Sequence, residues 1–300
     1  MRLLSLIVLV FALFTSQAAS AQPTAPARVT ILYDAFGKPG KLKLGWGYAA
    51  LVEYGGKRIL FDTGGRLNDF AHNVEALGVD LRQLDFVVLS HRHGDHTSGL
   101  HHVLKANPRV KIYAPVEQQN FQTPSAQALV SLIRRHVETA PEEMHYFNRE
   151  VPATIGSDSP WPEANFEQIR GAKEVLPGFW LFSTTSDVAG TREMNEISLA
   201  ISTPQGLVVV VGCSHSGIEK ILEASTKIEP RLYSVFGGFH LVDVPDAEVA
   251  AMVARFRDKW RFERVAAGHC TGEVAFSEFN RLFGARYDRA VIGAVIDLPV

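Results

Sequence analysis

Six consecutive residues, His91-Arg92-His93-Gly94-Asp95-His96, put three imidazoles and a carboxylate directly after an apolar run at 84–89. A fold that keeps them together must hold this segment where a buried strand stops and a glycine-containing loop begins. Neutral imidazole nitrogens and a carboxylate suit a borderline divalent ion such as Zn²⁺, with Mn²⁺ or Fe as alternatives, and four donors this crowded favour two ions over one. His91 and His93, one residue apart, can face a shared ion, while Asp95 and His96 turn toward a second.

Three more histidines repeat that context. The run 208–211 leads through Gly212-Cys213-Ser214 to His215, the run 233–236 through Gly237-Gly238-Phe239 to His240, and the run 264–267 through Gly268 to His269. Strand ends anchored in a core hold side chains with the accuracy a metal or catalytic site needs, and the glycines let the backbone turn close by. His72, His101, His102, His136 and His145 lie on polar or helical segments and are read as lying outside the site.

Around these points the pattern alternates. Strands are expected at 29–33, 48–54 and 58–61, the last two joined by the Gly55-Gly56 turn, and a helix over 67–77 that stops at Gly78. Thr97 and Ser98 are expected to cap a helix that ends near Asn107-Pro108, before a strand at 110–114. Strands at 179–184, 197–202 and 207–211 follow, then helices at 217–227, 246–260 and 273–283. Strands followed by βα units, twice over, predict an α/β (α+β) fold with two sheets between outer helices. The less regular stretch at about 116–177 reads as an insertion or lid, and its Trp161 and Phe166, with Trp46, are candidates for an apolar wall over the metals.

The first residues carry Arg2, an apolar run at 3–14 and Ala19-Ser20-Ala21, the pattern of a signal peptide over 1–21 with one domain at 28–300. Such a protein is expected to be secreted, in the periplasm, with no membrane span left after cleavage. A formal net charge of −2 without a long basic stretch argues against a nucleic acid polymer and for a small-molecule substrate. The two cysteines, Cys213 and Cys270, are too few for a disulfide framework; one bridge between them and a role beside the metal both stay open.

The hexapeptide followed by Thr97-Ser98-Gly99-Leu100, and preceded by Leu60-Phe61-Asp62-Thr63-Gly64, resembles the metallo-β-lactamase fold superfamily. The segments 212–218, 237–241 and 268–272 resemble its dihydropterin-methyl-ribofuranosylaminobenzene-phosphate synthase-like branch. The resemblance implies an αββα four-layer sandwich with a dinuclear site at one sheet edge. It matches His91 and His93 to first-metal ligands, Asp95 and His96 to second-metal ligands, and Asp62 to an acidic residue that supports the ligands from behind. Two positions depart from the common pattern: no histidine stands in Ser183-Thr184-Thr185-Ser186-Asp187, and Cys213 takes the place of a bridging aspartate. His215, with Cys213, would make up the missing ligation, and His269 or His240 would complete the second metal, with His269 taken as the ligand.

The expected activity is hydrolysis by a metal-bound hydroxide of an ester, lactone, phosphoester or related bond. Asp95 would orient the nucleophile, and His240 would stabilise an oxyanion or protonate the leaving group. The rival expectations are a group-transfer synthase, a di-iron redox protein and a non-catalytic periplasmic binder of metal or ligand.

Overall fold

The computed structural model describes residues 25–38, 40–116, 149–150 and 161–300. The signal-peptide segment, His136 and His145 lie outside the described residues.

Thirteen strands form two sheets among the described residues. The first sheet contains β1 (Arg28–Tyr33), β2 (Ala49–Tyr54), β3 (Lys57–Phe61), β4 (Phe86–Val88), β5 (Lys111–Pro115), β6 (Asn165–Ile169) and β13 (Val295–Asp297), in the order β13-β1-β2-β3-β4-β5-β6. The second contains β7 (Ala172–Leu176), β8 (Phe179–Thr185), β9 (Asn195–Thr203), β10 (Gly206–Val211), β11 (Leu232–Gly238) and β12 (Arg264–Gly268), in the order β12-β11-β10-β9-β8-β7. Helices α1 (Leu67–Ala76) and α3 (Leu100–Ala106) cover the first sheet. Helices α4 (Ile218–Ser225), α5 (Asp246–Asp258) and α6 (Glu273–Phe283) cover the second.

The period-two side-chain rule explains why central strands such as β4 and β10 are apolar without a break. In β3 and β4, Ile59, Phe61, Phe86 and Val88 face the space between the sheets, where they meet Leu199, Val208, Val210 and Phe236. Leu60 and Val87 point the other way and pack with Phe70, Val74, Leu100 and Val103 of the first helix layer. Val209 and Val211 do the same toward Ile221, Val253 and Phe279 on the far side. In the central strands both faces are dry, so alternation is replaced by continuous runs, while β6, β7 and β13 at the edges stay largely exposed. The result is the expected αββα sandwich, with three apolar layers between four layers of structure.

Gly55 and Gly56, at φ +55° and +74°, make the two-residue turn that pairs Tyr54 with Lys57. This backbone twist is the one that matches flanking strands, and it needs residues free to adopt positive φ. Two expectations are corrected. Thr97 and Ser98 do not cap the helix after the hexapeptide: their hydroxyls donate back to the carbonyls of His93 and Gly94, and a separate turn, α2 (Gly94–Thr97), starts inside the motif. A short hydroxyl side chain reaches the carbonyl four residues back once its own backbone is helical. The expected insertion at 116–177 ends in regular structure, because β6 pairs parallel with β5, and β7 pairs antiparallel with β8 to start the second sheet. Its central part, 117–148 and 151–160, lies outside the described residues.

Candidate metal centre

The ends of β3, β4, β10, β11 and β12 bring the strand-end residues to one edge of the sandwich. Donor atoms of His91, His93 and His215 lie within 4.8 Å of one another, as do those of Asp95, His96, Cys213 and His269. In the second group His96 Nε2 is 3.1 Å from Cys213 Sγ and 3.2 Å from His269 Nε2, and Cys213 Sγ is 3.1 Å from His269 Nε2. Asp95 Oδ2 closes the group at 3.6 Å from His96 Nε2 and 3.5 Å from His269 Nε2. In the first group His91 Nε2 stands 3.1 Å from His93 Nδ1, and the His215 ring packs 5.0 and 4.8 Å from the His91 and His93 rings.

Asp62 sets the direction of two of these rings. It is fully buried, its Oδ2 receives His96 Nδ1 at 2.6 Å and the Ser90 hydroxyl at 2.7 Å, and its Oδ1 receives the Ser90 backbone N–H at 2.7 Å. Ser90 Oγ in turn lies 2.9 Å from His91 Nδ1. With the hydroxyl proton committed to Asp62, His91 Nδ1 is the donor, so both His91 and His96 present Nε2 to the site.

Charge in the metal-free protein follows burial and neighbours. Burial, aided by the surrounding imidazoles, holds His91 well below the usual histidine range and pushes His215 down to about 2. Burial also works to lower His96, but the Asp62 carboxylate outweighs it and lifts His96 to about 9. For Asp95 burial acts upward, and the His269 and His96 rings override it, keeping the carboxyl well below its ordinary value.

The donor set fits metal ions. Both ring nitrogens of His215 are buried without a hydrogen-bond partner, an arrangement that costs free energy and that a metal ion on the nitrogen with the free lone pair would relieve in part. Around a tetrahedral Zn²⁺ with bonds of about 2.0–2.3 Å, donors sit roughly 3.3–3.8 Å apart, so the observed triangle of His96, Cys213 and His269 needs only slight opening.

Two buried acids absent from the sequence reading complete the scaffold. Asp34, just past β1, accepts the backbone N–H of His269 at 3.0 Å, and burial raises its carboxyl to about 8. Glu196, in β9, accepts the backbone N–H groups of His215 at 2.9 Å and Ser216 at 2.8 Å. Each is an acid at the edge of an apolar strand, the same placement as Asp62, and that was the available signal. His240 is not part of either donor group above; its ring packs 4.3 Å from that of His215. Of the aromatic candidates, Trp46 is at the site, 5.1 Å from the His269 ring and 55% exposed. Trp161 and Phe166 instead pack against the outer core of the first sheet, Trp161 donating to His101 Nδ1. Cys213 and Cys270 are free thiols.

The sequence profile described as the metallo-beta-lactamase superfamily matches residues 44–185, the stretch that supplies Asp62 and the hexapeptide. Over that stretch the chain is similar to the metallo-β-lactamase superfamily. A curated relative from Methanocaldococcus jannaschii, named 7,8-dihydropterin-6-methyl-4-(beta-D-ribofuranosyl)-aminobenzene-5'-phosphate synthase, is 29% identical over 88% of this chain and 93% of its own. The solved structure of Tm1679, described as a metal-dependent hydrolase of the beta-lactamase superfamily, superposes with TM-score 0.66 at 24% identity, covering 91% of this chain and all of the other. Human tRNase Z, short form, gives TM-score 0.54 at 16% identity, covering 91% and 100%. Both likenesses are likenesses of fold.

Proposed function

We propose that the chain is a dinuclear-metal enzyme that hydrolyses an ester, lactone, phosphoester or related bond in a small molecule. The observation that carries this reading is the convergence of seven donor side chains in two adjacent groups at one sheet edge. His91, His93 and His215 would hold one ion, and Asp95, His96, Cys213 and His269 the other. Imidazole, thiolate and carboxylate together suit Zn²⁺. When bound, such ions activate water at neutral pH and polarise a carbonyl or phosphoryl oxygen.

The remaining chemistry falls to the chain itself. Asp95 keeps a side chain 21% exposed, so the carboxylate can accept a hydrogen bond from the attacking water and aim it. His240 is half-buried; the neighbouring Cys270 raises its basicity against the effect of burial, the right direction for donating a proton to a leaving group. Trp46 offers an exposed apolar face beside His269 to an apolar part of the substrate. The pattern of residues 1–21 supports export to the periplasm as the setting.

A panel of lactones, phosphodiesters, thioesters and β-lactams, presented to the Zn²⁺-loaded protein, tests this. At least one should turn over, and His93→Ala and Asp95→Ala should lose metal and turnover together. Full activity in a metal-free variant overturns the proposal. The second reading, group transfer, is favoured by the near full-length match to the Methanocaldococcus jannaschii synthase. Turnover in ¹⁸O-labelled water separates the two: a hydrolase puts the label in product, whereas a transferase needs a second substrate and does not.

A further inference from the structure

Cys213 has neighbours on two sides. Besides the donors of the proposed two-metal centre, its Sγ, the Cys270 Sγ and a ring nitrogen of His240 lie within 4.8 Å of one another. Cys270 is 1% exposed, and its thiol has one weak acceptor, the Cys213 carbonyl at 3.5 Å. Room for it comes from Gly238 at the end of β11, where a Cβ would stand 2.7 Å from Cys270 Sγ. The backbone of His240 is held in the left-handed region at φ +48°, and its Nδ1 is buried without a hydrogen-bond partner. Holding a histidine in that conformation costs free energy, and leaving a ring nitrogen unpaired costs more.

We infer that Cys213, His240 and Cys270 form a third metal position, selective for thiophilic ions, that shares the Cys213 thiolate with the Asp95–His96–Cys213–His269 group. Two thiols and an imidazole with no carboxylate exclude Mg²⁺ and Ca²⁺, which require oxygen, and select d¹⁰ ions such as Zn²⁺, Cd²⁺ or Cu⁺. Two sulfurs around a tetrahedral ion are about 3.8 Å apart at bond lengths of about 2.3 Å, within the spread seen here. Binding is a proton exchange: the ion replaces the Cys270 thiol proton, and the Cys213 proton too if the neighbouring group is empty, and no electron transfer is involved. Three protein donors leave a fourth position open to solvent or a small ligand. Occupancy has two effects on the neighbouring chemistry. A bridging thiolate donates less to each ion, and a ligated His240 can no longer take up and release a proton at that nitrogen. Excess thiophilic metal therefore inhibits.

The test is a Cd²⁺ titration of the reduced, metal-free full chain, read by native mass spectrometry and the thiolate-to-cadmium ultraviolet band. Wild type should take three equivalents. Cys270→Ser and His240→Asn should each stop at two, with Cys270→Ala in reserve should the serine variant fail to fold. His93→Ala should lose one equivalent yet keep the full thiolate band, so failure of the two-metal reading and failure of this one give different results. A wild type that stops at two equivalents, a third equivalent that survives Cys270→Ser, or a Cys213–Cys270 disulfide formed in the Cd²⁺-loaded protein overturns the inference.

Discussion

Asp62 shows how much one carboxylate does at the residue scale. It fixes His96 directly and His91 through Ser90, from a left-handed backbone at φ +58°. Of the seven non-glycine residues with positive φ among those described, Asp62, Ser214, His240 and His269 all stand at this edge, so backbone strain is concentrated where side chains must be aimed. Asp62→Ala should cost about 3–5 kcal/mol in urea unfolding of the metal-free protein, because it removes the carboxylate hydrogen-bonded to the buried His96 ring and to Ser90. It should also weaken metal affinity roughly 10–100-fold in a competition assay with a chelating dye. The raised His96 value fixes a pH dependence. A histidine whose folded pKa of about 9 exceeds its unfolded value binds protons more tightly when folded, so its stabilisation is complete below about pH 6.5 and fades as pH rises through about 9. The Tm of the metal-free protein should fall across that window, and the fall should be smaller in Asp62→Asn; an unchanged slope in that variant refutes the pairing. The hexapeptide was legible in sequence because its donors are neighbours in the chain. Asp34 was not, since its contact with His269 spans 235 positions, and nothing local to residue 34 names that partner.

At the scale of elements, β4 and β10 could be read because they are unbroken apolar runs, and α6 matches its expected bounds, whereas the polar β6 and β7 and the short β13 carry no such run and were not read. What the pattern could not say is which strand ends meet. The pairing of Gly237 with Val211 and of Gly238 with Gly268 aligns the three loops that carry His215, His240 and His269. Register of this kind is set by packing across the sheet, which a single strand's sequence does not display. The loop before β2 is a second case. Gly47, at φ +134°, lets the chain pass so close to the hexapeptide that a Cβ there would stand 2.2 Å from the Asp95 carbonyl, and Tyr48 donates to that carbonyl at 3.2 Å. Gly47→Ala should therefore displace Asp95 and Trp46 together. The expected result is a loss of at least tenfold in kcat/KM on whatever substrate the panel identifies, with the circular dichroism of the fold retained.

The whole molecule is three apolar layers, and the middle one is common to both sheets. Phe236 lies in it, 1% exposed, on the strand that leads to His240. Phe236→Ala should cost about 3–5 kcal/mol in denaturant unfolding and loosen both donor groups, because the sheets that carry them share that core. Metal binding should raise Tm, each site adding about 2.7 kcal/mol of stability at a free ion concentration one hundred times its Kd and growing only with the logarithm of that ratio. The architecture was legible because two-sided burial leaves a plain mark on composition.

The first sheet closes by pairing β1 with β13, Arg28 opposite Asp297. The donors themselves run from residue 91 to residue 269. During synthesis the early ligands therefore wait, exposed and incomplete, until nearly the last strand has been made. A cation held by His91 and His93 alone would be held weakly through all that time. On the proposed two-metal reading, tight capture would be a late event, and the ion retained would be the one available in the compartment where folding finishes.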